Sequence, residues 1–271
     1  MEYDDFRRQS WAGKASAYEE SFEKLCAHTV PELLDAARVA PDLRVLDVGC
    51  GTGAVTAAAV ARRAITTAVD AEPSMVLRAT ARVPAAVVDV AALPDLPYSD
   101  GSFDAVVANF VLNHVGRPRR STAELSRLAR PGGRVAVTIW PQPAPPLQQL
   151  WHDVIAASDI EPISLPALDL DDDFARTPEG LRGLLTGAGL VDIECVELSW
   201  QHRVDRELWW AGATRGVASI GFVVERQAAE GVARMKATYD ALSARYAETD
   251  GWLALPVTAL LAVGSTPARR R

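Results

Sequence analysis

Between residues 44 and 139 the chain alternates short apolar runs with helical patterns. The runs cover 44–48, 65–69, 85–88, 103–108 and 134–139. Each is too short for a buried helix and rich in Val, Ile or Ala, so each reads as a strand covered on both faces. The alternation predicts five parallel strands wound with crossover helices, a doubly wound α/β architecture. A small-residue run at 54–63, Pro73 in a first helical turn and the segment 121–130 mark the helices. In the last of these Leu125, Leu128 and Ala129 share a face, and Pro131-Gly132-Gly133 is the expected stop.

Past residue 139 the pattern changes. Residues 141–175 are rich in Pro and Asp, with one helical stretch at 147–157. Thr177-Pro178-Glu179-Gly180 reads as a capped start for a helix ending at Gly187-Ala188-Gly189. Two further strands are expected at 191–200 and 253–263, with a helical insertion between them. In its second half Ala228, Val232, Met235, Tyr239, Leu242 and Tyr246 recur at intervals of four and three, an amphipathic stripe. The expected organisation is one domain: an N-terminal helical cover (1–40), a core (41–140), connecting helices (141–190) and a helical lid (205–247).

The 271 residues are 49% apolar and 23% charged, which excludes a disordered or fibrous chain. A net charge of -7 argues against a nucleic-acid surface, which needs clustered Lys and Arg. Three widely spaced cysteines fit neither a zinc cluster nor a disulfide framework, and with no long apolar run or leader pattern the expected setting is the cytoplasm, away from membranes. No metal is expected: His28, His152 and His202 have no partners at ligand spacing, and the acidic run 169–173 reads as a solvated loop.

The chemistry concentrates at Arg44-Val45-Leu46-Asp47-Val48-Gly49-Cys50-Gly51-Thr52-Gly53, a strand running into three alternate glycines and then a helix. Such glycines let the backbone turn tightly and approach a ligand. The spacing matches neither the dinucleotide fingerprint nor the phosphate loop of nucleotide hydrolases. Asp70, ending the second strand, is placed to accept from both hydroxyls of a ribose. Asp89, ending the third, can meet an exocyclic adenine amine, and Asp47 can compensate a positive charge on the ligand's tail. Adenine, ribose and an ammonium without phosphate fit these parts.

The blocks RVLDVGCGTG, AVDAEPSM, VVDVAALPDLPYSDGSFDAVVANFVLNHV and ELSRLARPGGRVAVTIW, in this order over residues 40–140, resemble the class I S-adenosylmethionine-dependent methyltransferases, in particular the small-molecule branch with ubiquinone-type and natural-product enzymes. The resemblance implies a Rossmann-like, mainly parallel seven-stranded sheet with an antiparallel last strand, and S-adenosylmethionine as cofactor. It implies that Gly49, Gly51 and Gly53 lie under the methionine portion and ribose. Asp70 with Ala71 would hold the ribose, Met75 would pack on adenine, and Asp89 with the Val90 backbone would read the adenine edge. Asn109 and Phe110 would lie near the sulfonium and Tyr18 near the cofactor's carboxylate.

A small, apolar or aromatic acceptor is the expected partner, in a secondary-metabolite setting suggested by 28 basic residues of which three are Lys. Trp140, Trp209 and Trp210, with Met235 and Tyr239 of the stripe, are the expected pocket, and His114 is the expected base for an acceptor hydroxyl. Asn109 is followed by Phe110-Val111-Leu112 rather than Pro-Pro-aromatic, which disfavours amino-group methylation of adenine or glutamine. Two alternatives stay open: a non-methylating use of the bound cofactor in cyclisation or decarboxylation, and a non-catalytic binding protein. A homodimer is the alternative use of the insertion, as a subunit interface.

Overall fold

The sheet core follows from central strands buried on both faces. The computed structural model describes residues 3–163, 166, 168 and 171–268, so residues 169 and 170 of the acidic run lie outside the described residues. Seven strands are formed: β1 (Arg44–Val48), β2 (Ile65–Asp70), β3 (Val87–Val90), β4 (Phe103–Asn109), β5 (Ala129–Ile139), β6 (Val191–Asp205) and β7 (Trp252–Ser265). Their order is β3-β2-β1-β4-β5-β7-β6, with β1 to β5 parallel and β7 antiparallel to both neighbours. Successive residues leave for opposite faces. Leu46, Val106, Val135, Val137 and Leu260 pack with Leu125, Leu181 and Leu184 on one face. Val45, Val107, Ala136 and Leu261 pack with Leu33, Leu34 and Val55 on the other.

Among the described residues twelve α-helices surround the sheet. Before β1 come α1 (Tyr3–Trp11), α2 (Ala15–Ser21), α3 (Glu23–Ala27) and α4 (Val30–Ala36). Within the core lie α5 (Ala54–Ala61), α6 (Pro73–Arg82) and α7 (Pro118–Leu128), followed by α8 (Pro146–Ala157) and α9 (Pro178–Gly187). Between β6 and β7 stand α10 (Arg206–Thr214), α11 (Ala218–Val224) and α12 (Ala229–Ser243). Thr177 caps α9 as its sequence predicts, accepting from the Gly180 N–H at 3.1 Å.

Three boundaries differ from the sequence reading. β3 starts two residues late because Ala86 N–H closes a turn on Val83 O (3.0 Å). Helix α7 ends at Leu128, and Pro131-Gly132-Gly133 sits inside β5 at an irregularity in its pairing with β4. Strands β6 and β7 run on as a long antiparallel ribbon, paired as far as Asp205 with Trp252. That ribbon carries the α10–α12 insertion and is tied back to the N-terminal helices: Phe6 meets Phe222 edge-on (4.6 Å), Lys14 pairs with Glu225 and Arg215 with Glu20.

The order reverses between β1 and β4, where the carboxyl ends of adjacent parallel strands leave a crevice. The register Val48 to Val69 and Asp70 to Val90 brings Gly49, Ala71 and Ala91 to that edge, with Phe110 just past the end of β4.

Candidate active site

At the crevice the glycine loop leaves β1. Gly49 and Gly51 take φ of +67° and +54°, in the left-handed region where a side chain is costly. A Cβ on Gly51 would find only Tyr18 Cε1 at 3.6 Å, so the loop backbone is open to the cavity it borders. Asp70 Oδ2 accepts from the Gly51 N–H (2.8 Å) and Oδ1 from the Glu72 N–H (2.9 Å). One carboxylate therefore fixes both the loop and the turn after β2. Burial pushes this carboxyl above its ordinary range and the two backbone N–H groups pull it back.

The cavity holds about 420 Å³. One end is bordered by Gly49, Gly51, Asp70, Ala71, Glu72 and Met75, and its corner by Ala91, Ala92 and Leu93. Asn109, Phe110 and Trp140 form the middle, α1 borders the cavity from Arg7 to Trp11, which packs on Tyr18 beside the loop, and α8 and α11 close the far end with Leu147, Trp151, Ile155, Ile220 and Val223. A small hollow of about 30 Å³ behind the loop, between Tyr18, Glu23 and Cys26, shares Gly49, Gly51 and Asn109 with it. The loop end carries two acids and no Lys or Arg, while the basic side chains of the wall, Arg7, Arg8, His114 and His152, lie toward the far end. Such a cradle accepts a nucleoside with a positive charge and offers a phosphate no counter-charge.

Of the residues singled out from the sequence, Tyr18, Gly49, Gly51, Asp70, Ala71, Met75, Asn109, Phe110, His114 and Trp140 line this one cavity. Three of them are more committed than expected. The Asn109 side chain is spent inside the protein, accepting from Thr29 Oγ1 (2.8 Å) and Thr138 Oγ1 (2.5 Å) and donating to Cys26 O (2.9 Å). It positions the end of β4. Phe110, held at φ +58°, stacks on Trp140 at 3.8 Å. His114 receives a hydrogen bond from the Arg7 guanidinium on Nδ1 and meets the Trp11 ring edge-on (5.6 Å). With Nδ1 accepting, neutral His114 carries its hydrogen on Nε2, an assignment from the network, and has no lone pair free to act as a base.

Eight expected residues do not border the cavity. Asp47 is fully buried beneath the loop, where Oδ2 accepts from Thr56 Oγ1 (2.6 Å) and burial pushes its carboxyl up to about 7. It anchors the first turn of α5 and cannot reach a ligand's tail. A Cβ on Gly53 would press on Ala79 Cα at 3.2 Å, so this glycine allows α5 and α6 to approach. Asp89 and Val90 end an edge strand and face solvent; Asp89 accepts from the Tyr98 hydroxyl at 3.3 Å. Trp209, Trp210, Met235 and Tyr239 belong to a buried cluster that the insertion forms with the N-terminal helices, α8 and β7. Trp209 stacks on Phe22 (4.3 Å), Tyr239 stacks on Trp151 (5.2 Å), and the Tyr239 hydroxyl donates to Arg206 O (2.9 Å). The stripe of α12 is used against α8, leaving α11 to form the wall.

Sequence reasoning missed Arg7, Trp11, Gln148 of α8 and the α11 face bearing Ser219 and Ile220, whereas Trp151 belongs to the group of tryptophans past the fifth strand from which pocket residues are expected. Among the described residues no cluster of three or more His, Cys, Asp or Glu is arranged to hold a metal, and no helix is long and apolar enough to cross a membrane.

Residues 46–137 match the family described as methyltransferase domain. An uncharacterized protein of Mycobacterium tuberculosis is 35% identical over 137 residues, 49% of each chain. A demethylmenaquinone methyltransferase of Clavibacter sepedonicus is 32% identical over 166 residues, 56% of this chain and 66% of that enzyme. The chain thus spans about half the length of the first of these curated relatives. Among solved structures, the YcgJ protein of Bacillus subtilis superposes with a TM-score of 0.58 at 17% identity, covering 89% of this chain and 98% of that one.

Proposed function

We propose that this chain, which belongs to the class I S-adenosylmethionine-dependent methyltransferases, methylates a small, largely apolar or aromatic acceptor held at the far end of the cavity. The observation that carries the reading is the continuity of a single cavity. It runs from a phosphate-excluding glycine cradle, past Phe110 and Trp140, into an apolar chamber under α1, α8 and α11.

S-adenosylmethionine supplies, when bound, a methyl group already activated by its sulfonium. The residues present fit it. Asp70 would hold the ribose hydroxyls, Met75 the adenine face, and the hollow beside Tyr18 the amino-acid tail. The remaining work falls to alignment and the exclusion of water. The Phe110–Trp140 stack fixes the floor where the two ends meet, and Trp11, Trp151, Ile220 and Val223 keep the chamber apolar. Because His114 Nδ1 is occupied by Arg7, the resting site favours an acceptor whose nucleophile needs no strong base.

The test counts S-adenosylhomocysteine against methylated product when the protein is incubated with S-adenosylmethionine carrying a CD3 group and a small-molecule extract. One labelled compound formed in equal amount supports the reading. Conversion of a compound without S-adenosylhomocysteine would point to non-methylating use of the cofactor, and neither product to a binding protein; both contradict it.

A further inference from the structure

Arg7 is a charged side chain with no counter-charge. It is 7% exposed, on the inner face of α1, and borders the far end of the cavity. Its guanidinium donates to His114 Nδ1 and lies 3.5 Å from Ser219 Oγ, while its Nε is buried without a partner. Among the described residues no carboxylate pairs with it. Asp4, one turn earlier and also on the wall, accepts from the Gly116 N–H at 2.5 Å, and Asp5 pairs with the exposed Arg8. Burial lowers the Arg7 pKa without neutralising the group, since a guanidinium keeps its proton in proteins. A buried charge without a partner is strongly unfavourable, and folds retain one where a ligand completes it. Two further polar atoms of the same wall are also buried without partners, Trp151 Nε1 and Gln148 Oε1. Three unfilled hydrogen-bonding positions thus belong to one chamber.

Resting on the methyltransferase reading, we propose that Arg7 is the specificity-determining residue for the acceptor, and that the acceptor is an apolar or aromatic monocarboxylic acid whose carboxylate docks on the Arg7 guanidinium. The planar fork of a guanidinium matches a carboxylate. One unpaired cation balances one negative charge, which favours a monoanion over a phosphate dianion. The apolar lining contributed by Trp11, Leu147, Trp151 and Ile220 suits the rest of the molecule. The carboxylate is the anchor and not the methylated atom. Tyr18 abuts Gly51, Trp11 packs on Tyr18 (5.8 Å) and His114, which receives the Arg7 hydrogen bond, packs on Trp11 (5.6 Å), so Arg7 is linked to the glycine cradle through a row of ring contacts.

The test uses the full chain saturated with S-adenosylhomocysteine and measures by calorimetry the binding of benzoate, cinnamate and 2-naphthoate against their carboxamides. At least one acid is expected to bind about tenfold or more tightly than its amide, the range for a charge-assisted hydrogen bond. Arg7→Gln should remove that preference while S-adenosylhomocysteine affinity stays within about twofold. The wild-type comparison stands by itself if the variant does not fold. No acid preferred over its amide, or a preference that survives Arg7→Gln, overturns the proposal. So does an Arg7→Gln protein that loses S-adenosylhomocysteine instead, because the guanidinium would then serve the cofactor. Failure of wild type to bind S-adenosylhomocysteine at all would sink the methyltransferase reading itself, a separate outcome in the same titration.

Discussion

Replacing Asp70 with Asn separates the loop contacts of this carboxylate from its proposed hold on a ribose. Its oxygens each accept one backbone N–H, from Gly51 at 2.8 Å and Glu72 at 2.9 Å. A carboxylate offers about four lone-pair sites, so about two remain for the ribose hydroxyls. Asparagine keeps the size but presents an NH2 donor in place of one oxygen. One backbone N–H then faces a donor, and one ribose hydroxyl loses its charged acceptor. A hydrogen bond to a charged group contributes about 1.5–3 kcal/mol, which predicts cofactor affinity about 10- to 150-fold weaker. Stability should change less. Burial already opposes the ionised carboxyl, so removing the charge offsets part of the lost bonding, and a net cost near 1 kcal/mol is expected. Calorimetry with S-adenosylhomocysteine and urea unfolding measure the two quantities. A folded Asp70→Asn protein with unchanged affinity would refute the ribose assignment.

Three further predictions concern the loop and the insertion. Burial lifts Asp47 from 3.8 to about 7, so the folded state holds a proton that the unfolded chain releases, and stability falls as pH rises through that window; His202, lowered from 6.5 to about 4 by burial and Lys24, acts in the opposite sense. Asp47→Asn should therefore gain stability relative to wild type on going from below pH 4 to above pH 7, by on the order of 4 kcal/mol at most, and a pH-independent difference in urea unfolding would contradict this. Gly49→Ala places a Cβ 2.4 Å from Val111 Cγ2 at φ +67°, so it should cost about 1–2 kcal/mol from the backbone alone. Adding Val111→Ala should recover only the steric part, and full recovery in thermal unfolding would show that the left-handed conformation costs nothing. Trp209→Ala should cost about 3–5 kcal/mol while leaving S-adenosylhomocysteine affinity within about twofold, because Trp209 is fully buried behind the cavity wall, packed on Phe22 and Trp151 and not on the glycine loop. A cost under about 1 kcal/mol would contradict its place in the core.

The glycine-loop end of the cavity was legible in part in the sequence because its elements are coded locally, although Asp47, Gly53, Asp89 and Val90 fall outside it. Strands covered on both faces show as unbroken apolar runs, and three alternate glycines after one of them mark the turn that borders the cavity. Asp70 and Met75 follow from their place after β2. The acceptor half was not legible in the same way. The stripe bearing Met235 and Tyr239 shows that α12 has an apolar face but not what the face covers, and the fold uses it against α8. Helix α11, Ala-Ser-Ile-Gly-Phe-Val-Val, is too uniformly apolar for a period to reveal which side meets a ligand. Arg7 sits in a nine-residue helix of mostly polar residues, where only tertiary packing against α11 and His114 makes it a buried charge.

The central claim is that one cavity holds the cofactor on the glycine cradle and leaves a separate acceptor chamber beyond Phe110. A crystal structure with S-adenosylhomocysteine tests it most directly. The account predicts ribose hydroxyls on Asp70, adenine against Met75, sulfur directed toward Phe110 and the chamber bordered by Arg7, Trp151 and Ile220 left open. Ligand density that fills that chamber, or that lies away from Gly49 and Gly51, would contradict it.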